Sequence, residues 1–165
     1  MRLPLRLSWC ALLLLPYTIG AQRPEPVGVT PPSACTFDSC SLRIEPRFFL
    51  GETIVVGNGR QERPVGFSGR ALVDLVAGND YAQREAQIAS RHRIRGGVIS
   101  AVSTIAWASL TSIWLNRPNR EASDGVFIAS TAVIAIGGTW SGYHIRKDHQ
   151  HAARAVWAYN RDLPR

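Results

Sequence analysis

The chain has 165 residues and a formal net charge of +7, with 19 Lys and Arg against 12 Asp and Glu. This length leaves room for one ordinary domain and excludes a second. A basic protein can bind nucleic acid or face an anionic membrane, and an export signal at the N-terminus argues against nucleic acid.

Residues 1–21 have the layout of a secretory signal peptide. Arg2 and Arg6 precede the apolar run ALLLL, and small residues end at Ala21. The apolar run is too short to cross about 30 Å of hydrocarbon. We therefore expect export and cleavage after Ala21, and an uncleaved anchor is the alternative. Cleavage would also remove Cys10 and leave two cysteines.

Residues 22–40 are expected to be a proline-rich linker that ends in a disulfide loop. The stretch QRPEPVGVTPPSA is rich in proline and poor in apolar residues, as extended linkers are. In an oxidising compartment, Cys35 and Cys40 are expected to form a disulfide across CTFDSC. Their spacing differs from that of a thioredoxin-type redox pair. No second Cys or His pair lies nearby in the sequence to complete a zinc site.

Residues 41–95 are expected to form a small α+β segment. Apolar residues alternate on even positions from Leu42 to Leu50, as in a half-buried strand, with Pro46 interrupting them. The run TIVV followed by GNG at 57–59 predicts a tight hairpin turn. SGRALVDLVAGND predicts a short helix that ends at Gly78. Asn79 or Asp80 then caps a helix over YAQREAQIASRHRIR, which is interpreted as solvated or partner-facing.

Residues 96–116 and 125–145 are two uncharged runs joined by a short link. As a helix, each would be about 31 Å long, which matches the core of a bilayer. They predict an antiparallel transmembrane hairpin over 96–145. The predicted free energy of membrane insertion is only slightly favourable. The aliphatic residues of the first run contribute about −2 to −4 kcal/mol to it, and the hydroxyls and glycines offset much of that. The alternative is a water-soluble hairpin buried in an oligomer.

Small residues recur at helical spacing in both runs, which would let two helices approach closely in lipid. The predicted packing rows are Gly96, Ser100, Thr104 and Ala108 in the first run, and Gly125, Ala129 and Gly137 in the second, with Gly138 and Gly142 on an adjacent row. This spacing resembles that of the two-span glycine-zipper proteins of bacterial envelopes. The tail AVWAYNRDLPR looks like the ending of uncharacterised exported bacterial proteins. The resemblance implies an envelope membrane protein and brings no chemistry with it.

Residues near the ends of the runs are predicted to lie at the membrane interface: Trp114, Trp140, Tyr143, Arg146 and Lys147. The topology holds a conflict. A cleaved signal would put residues 22–95 outside and the link 117–124 in the cytoplasm, although more basic residues flank the hairpin than lie in the link. Either the export signal overrides this charge bias, or the hairpin enters a membrane only after translocation.

The segment HIRKDHQH contains candidate metal ligands, since His144, Asp148 and His151 share one helical face. Their spread of about 10.5 Å along the axis is too wide for one ion, so a polar segment leaving the membrane is expected and no metal ligand is assigned. Ser, His and Asp occur without a Gly-x-Ser-x-Gly elbow, so no catalytic residue and no cofactor are predicted. Residues 146–165 are expected to form a basic amphipathic helix that lies on the membrane or docks on residues 42–76.

The predicted fold is a mainly α membrane protein, with a two-helix transmembrane hairpin, a small α+β N-terminal segment and a C-terminal amphipathic helix. The predicted role is non-enzymatic: self-association or scaffolding of a partner in the bacterial cell envelope. Expected partners are the bilayer and a second copy or another envelope protein, but not nucleic acid. The alternative function is a soluble periplasmic binding module whose uncharged helices form the core of an oligomer.

Overall fold

The computed structural model describes residues 35–47, 51–59, 61–116 and 124–164. The predicted signal peptide, residues 22–34 of the predicted linker and most of the link between the two runs lie outside the described residues. The elements in chain order are α1 (Phe37–Cys40), β1 (Leu42–Arg47), β2 (Gly51–Val56), β3 (Gln61–Pro64), α2 (Arg70–Leu75), α3 (Asp80–Leu115) and α4 (Asp124–Arg161). The predicted mainly helical fold, with a long hairpin and a small N-terminal sheet, is confirmed at this level.

The three strands form an antiparallel sheet in the order β1-β2-β3. The middle strand, β2, buries Ile54 and Val55. Pro46 of β1 pairs with Glu52 of β2, and a proline fits at this position because β1 is an edge strand. The predicted turn at 57–59 joins β2 to β3, and Gly57 has a φ of 59°. A Cβ on Gly57 would lie 2.5 Å from the backbone oxygen of Ser39, so this position favours glycine for two reasons.

A disulfide joins Cys35 to Cys40, with 5.5 Å between their Cα atoms. It closes the single turn of α1, beside the turn that follows β2. The backbone N–H of Phe37 donates a hydrogen bond to the oxygen of Pro164 at 2.9 Å. The disulfide loop therefore contacts the C-terminal segment as well as the sheet.

Two local signals separate α2 from α3. Gly78 has a φ of 101°, which ends the turn after α2. The side chain of Asn79 accepts a hydrogen bond from the backbone N–H of Ala82 at 3.0 Å and so caps α3. The cap at Asn79 is confirmed, whereas α2 ends at Leu75, three residues before the predicted stop at Gly78.

The two long helices do not end at the boundaries predicted at 95/96 and 145/146. α3 has 36 residues and α4 has 38, so each is about 55 Å long. Neither boundary holds a proline, and the helical hydrogen bonds continue through it. We call 80–95 with 146–161 the polar half of the hairpin, and 96–115 with 125–145 its apolar half. The predicted amphipathic C-terminal helix is the continuation of the second predicted span.

The hydrophobic core lies in the polar half, where α3 and α4 meet the sheet and α2. Its fully covered residues are Leu42, Ile54, Val65, Leu72, Val76, Ala82, Ala86, Ala89, Ala152, Ala155 and Ala158. Asn160 fastens the end of α4 to β1. Its Oδ1 accepts from the backbone N–H of Leu42 and its Nδ2 donates to the Leu42 oxygen, both at 2.7 Å. Of the two predicted placements of the C-terminal helix, the structure has docking on the β-sheet segment.

Candidate functional site

The apolar half leaves most of its large side chains uncovered. Only 6% of the most apolar stretch of α3 and 17% of that of α4 are buried inside the protein, and both helices are long and apolar enough to cross a membrane by length and composition. A core helix of a soluble protein would be mostly covered. The exposed residues of this surface include Val98, Val102, Ile105, Ile113 and Leu115 on α3, and Ile128, Ile134, Ile136 and Ile145 on α4.

Several exposed hydroxyls on this surface are bonded to their own helix. Thr104 and Ser109 each donate to the backbone oxygen four residues earlier at 2.8 Å. Thr131 and Thr139 do the same at 3.0 and 2.8 Å. Such bonds satisfy a hydroxyl without water, so these side chains do not require an aqueous surrounding.

The contact between α3 and α4 in the apolar half uses small side chains. Ser141 Oγ donates to the backbone oxygen of Gly96 at 2.9 Å. A Cβ on Gly137 would lie 1.8 Å from Ser103 Oγ, so only glycine fits this approach. The least exposed positions include Gly96, Ile99, Ser103, Ala106 and Leu110 on α3, and Val126, Ser130, Val133, Gly137 and Ser141 on α4. Steps of three and four residues separate neighbouring members of each set, and on α3 the two steps alternate.

Of the predicted packing residues, the structure places Gly96 and Gly137 in this contact. The others are exposed: Ser100, Thr104, Ala108, Gly125, Ala129, Gly138 and Gly142. A strict four-residue row turns about 40° around the helix at each step, so it leaves the partner helix after one or two members. Alternating steps of three and four stay on one side. Gly138 and Gly142 have open space where a Cβ would stand, so they do not contact α3.

The predicted interface residues lie in two bands, one at each end of the apolar half. Trp140 and Tyr143 are 59% and 51% exposed and lie beside the charged start of the polar half. Lys147 Nζ lies 6.0 Å from the ring centre of Tyr143, and Arg146 is exposed next to it. At the other end, the ring of Trp114 packs 5.4 Å from that of Phe127. A shallow apolar groove runs between the exposed rings near the first band, along Ala135, Ile136, Thr139, Trp140 and Tyr143.

A cluster of charged and aromatic side chains occupies the border between the two halves, and we call it the polar junction. Arg93 lies at its centre and donates from Nε to Asp148 at 2.8 Å, while its Nη2 bonds Glu52 of β2 and its Nη1 donates to the backbone oxygen of Gly66 at 3.4 Å. His149 Nδ1 lies 3.0 Å from Glu52. Burial opposes the charge of Arg93, but the bonds to Glu52 and Asp148 outweigh it and raise its pKa. These contacts tie α3, α4 and the sheet together.

The four histidines of the chain all lie at the polar junction. His92 Nδ1 and His144 Nδ1 are 2.8 Å apart, and Trp140 Nε1 donates to His144 Nε2 at 3.1 Å. The rings of His92 and His151 stack with centres 5.9 Å apart, and His151 Nδ1 lies 2.7 Å from Glu85. His149 faces Glu52 as described. Burial lowers the pKa of His92, and the neighbouring charges of His144 and His151 lower it further.

The three residues weighed as metal ligands in the sequence, His144, Asp148 and His151, all face α3 but bond different partners there. Among the described residues, no group of three or more His, Cys, Asp or Glu could hold a metal ion. Sequence reasoning missed His92 and Arg93, which lie far from HIRKDHQH in the chain. If the two predicted runs are paired as antiparallel helices and the pairing is extended by two helical turns beyond Gly96, both residues fall beside HIRKDHQH.

No protein-family model, no curated protein sequence and no solved structure matches this chain. The resemblance of residues 96–145 to two-span glycine-zipper proteins therefore stays a prediction. What the molecule does has to be inferred from its own geometry: an uncovered apolar half, a packed polar half and the junction between them.

Proposed function

We propose that the apolar half of the hairpin inserts into a membrane of the bacterial cell envelope. The polar half and the sheet then form a small body at the membrane surface. In this proposal the protein is non-enzymatic and serves as a scaffold for a second copy or another envelope protein. The observation that carries it is the concentration of exposed large apolar side chains in one half of both long helices, where all of those on α3 and α4 lie except Tyr81, Ile94 and Trp157.

The border of the apolar half is level on the two helices, as a membrane surface requires. A Cβ on Gly96 would lie 3.3 Å from the Cβ of His144, so the first residue of the apolar run of α3 faces the end of that of α4. Arg95 and Arg146 follow immediately outside. From this border, residues 96–115 extend about 30 Å, the thickness of a hydrocarbon core.

The polar groups of the apolar half support insertion as well. An unsatisfied hydroxyl costs several kcal/mol in hydrocarbon, and the hydrogen bonds of Thr104, Ser109, Thr131 and Thr139 to their own helices remove that cost. The close approach at Gly137 gives the dense packing that holds helices together in lipid, where no hydrophobic effect acts between them.

A collar of exposed basic residues surrounds the border and suits anionic lipid headgroups. Arg91, Arg95 and Arg146 are exposed, and Lys147 is partly covered by Tyr143. Each such residue contributes about 1 kcal/mol when it lies near an anionic bilayer surface. Trp140 and Tyr143 lie just inside this collar, where aromatic rings prefer to be.

Membrane extraction tests the insertion. After expression in a bacterium, alkaline carbonate should leave the full chain in the membrane pellet. The alternative, a soluble periplasmic oligomer whose copies cover the apolar halves, predicts release into the supernatant as a particle of several chains. Release would overturn the proposal, and the size of the released particle would identify the alternative.

Cysteine labelling tests the hairpin topology. In a Cys10→Ser background, Arg60→Cys and Arg120→Cys each give the chain a single free thiol, since Cys35 and Cys40 are joined. A membrane-impermeant maleimide should label only one of the two positions from a given side of the membrane, because a spanning hairpin separates the β-sheet segment from the link. Equal labelling of both from one side, before any lysis, would show that the hairpin does not span.

A further inference from the structure

Three side chains form a hydrogen-bonded chain across α3 and α4 at the polar junction, and its geometry determines where the protons are. Trp140 Nε1 can only donate, so His144 Nε2 must accept and carries no proton. Neutral His144 then carries its proton on Nδ1, which donates to His92 Nδ1 at 2.8 Å. His92 consequently carries its own proton on Nε2. Every link in this chain is satisfied only when both imidazoles are neutral.

We propose that His92 and His144 form a proton-sensitive latch, which holds α3 against α4 when both rings are neutral and loosens the polar junction when either is protonated. A second proton on His92 would put one N–H against another across 2.8 Å. A second proton on His144 would put an N–H against the indole N–H of Trp140. Either event replaces a hydrogen bond with contact between two donors.

The charges around the latch favour its neutral form. Arg95 on α3 and Lys147 on α4 act on His92 together with His151, and the Tyr143 ring lies edge-on to it. The nearby carboxylates already have other partners. Glu85 bonds His151, while Glu52 and Asp148 bond Arg93. None of these three carboxylates bonds to the His92–His144 pair, so none of them pairs with a positive charge there.

The direction of the pH effect follows from these contacts. Burial, followed by the neighbouring positive groups, holds the pKa of His92 below its ordinary value of 6.5, so the open junction binds the proton more readily than the closed one. The closed form is therefore fully favoured above pH 6.5 and loses stability as the pH falls below it. The lowered pKa of His92 can change the closed-to-open ratio by up to about tenfold per pH unit. The other two histidines each face a carboxylate, His149 that of Glu52 and His151 that of Glu85.

Nitrogen NMR of the full mature chain, labelled with ¹⁵N-histidine in detergent micelles, tests the latch directly. At pH 7.5 we expect the Nδ1–H tautomer for His144 and the Nε2–H tautomer for His92. Between pH 7.5 and 5.0, amide exchange should accelerate about tenfold or more at 89–96 and 141–148, after correction for the intrinsic pH dependence of exchange. An Nε2–H tautomer for His144, or unchanged corrected exchange when both rings are protonated, would overturn the proposal.

Two matched variants separate the latch from the other histidines. In His92→Gln, the amide oxygen can accept from His144 Nδ1 but does not titrate, so the junction should stay closed at pH 7.5 and its acid response should weaken. His149→Gln should keep the acid response, since His149 is 55% exposed and faces Glu52. The same response in His92→Gln as in the unaltered chain would contradict the latch. The tautomer measurement needs no variant, and neither readout depends on membrane insertion.

Discussion

The two halves of the hairpin are built on the same kind of helix contact but differ in what covers their outer faces. In the polar half, alanines of α3 pack on alanines of α4. In the apolar half, the contact is made by Gly96 and Ser103 against Gly137 and Ser141. Outside this contact, the polar half packs on the sheet and α2 and exposes charged side chains together with Tyr81 and Trp157, whereas the apolar half exposes many isoleucines and valines. The small residues of the contact determine how the two helices pair. The side chains of the outer face determine whether water, protein or lipid can cover it.

Because of this contact, neither half buries enough apolar area between its two helices alone. Alanine, glycine and serine allow close approach but bury little apolar area, and buried area supplies most of the stabilisation of a fold. The polar half gains that area from Leu42, Ile54 and Leu72. The described residues give the apolar half little cover beyond the Phe67 ring beside Gly97, and lipid would supply it in the proposed function.

Removing the guanidinium of Arg93 at the polar junction should cause the largest loss of stability. Arg93→Ala would leave the Asp148 side chain, which is 6% exposed, and Glu52 without their guanidinium. Stranding a buried charge costs about 3–5 kcal/mol, so urea unfolding of the polar half should shift strongly. Arg91→Ala on the exposed face of the same helix is the control and should change stability by under about 0.5 kcal/mol. Equal losses would mean that the network does not join the two halves.

A charge added to the outer face of α3 should reduce membrane insertion when it lies in the apolar half and leave insertion unchanged when it lies in the polar half. Ile105 is 67% exposed near the middle of the apolar half, and Gln87 is exposed on the same side of α3 in the polar half. Ile105→Arg should lower membrane insertion by about 2.5–3.5 kcal/mol, seen as a smaller carbonate-resistant fraction. Gln87→Arg should leave that fraction unchanged. If both variants stay in the pellet equally, the outer face of the apolar half does not meet hydrocarbon.

Filling a glycine in the helix contact should have an intermediate effect. A methyl group at Gly137 would overlap the Ser103 side chain, so Gly137→Ala must move the helices apart and should cost about 1–3 kcal/mol. Gly138→Ala meets open space and should be neutral or slightly stabilising, because alanine favours helix. Thermal unfolding in detergent compares the two. A larger loss in Gly138→Ala would mean that a further helix, absent from the single chain, covers that face.

Reducing the disulfide should have the smallest effect. Cys35 and Cys40 close a short loop, so the bond contributes at most about 2 kcal/mol by limiting the unfolded chain. A reducing agent should increase protease cleavage around residues 35–47 and leave the hairpin helices protected. Loss of helicity throughout α3 and α4 on reduction would contradict the separation of the small sheet region from the apolar half.

Features that depend on neighbouring residues in the chain were predictable. The turn at 57–59 and the cap at Asn79 follow from the local chemistry of glycine and asparagine. The continuity of α3 and α4 was missed because a change from apolar to polar composition does not end a helix. The contact between α3 and α4 contains only two members of the predicted packing rows, because a four-residue repeat drifts around the helix and only the partner helix shows which side is covered.

The sequence by itself determined which segments are helical, where the uncharged stretches lie and that cysteines 35 and 40 could pair, since these depend on composition and spacing within a few turns. Only the tertiary structure decided which face of each helix is buried, and that His92 meets His144 from 52 positions away. Such contacts depend on the relative rotation and register of two helices. Many weak contacts along their whole length set those two quantities, and no short motif encodes them.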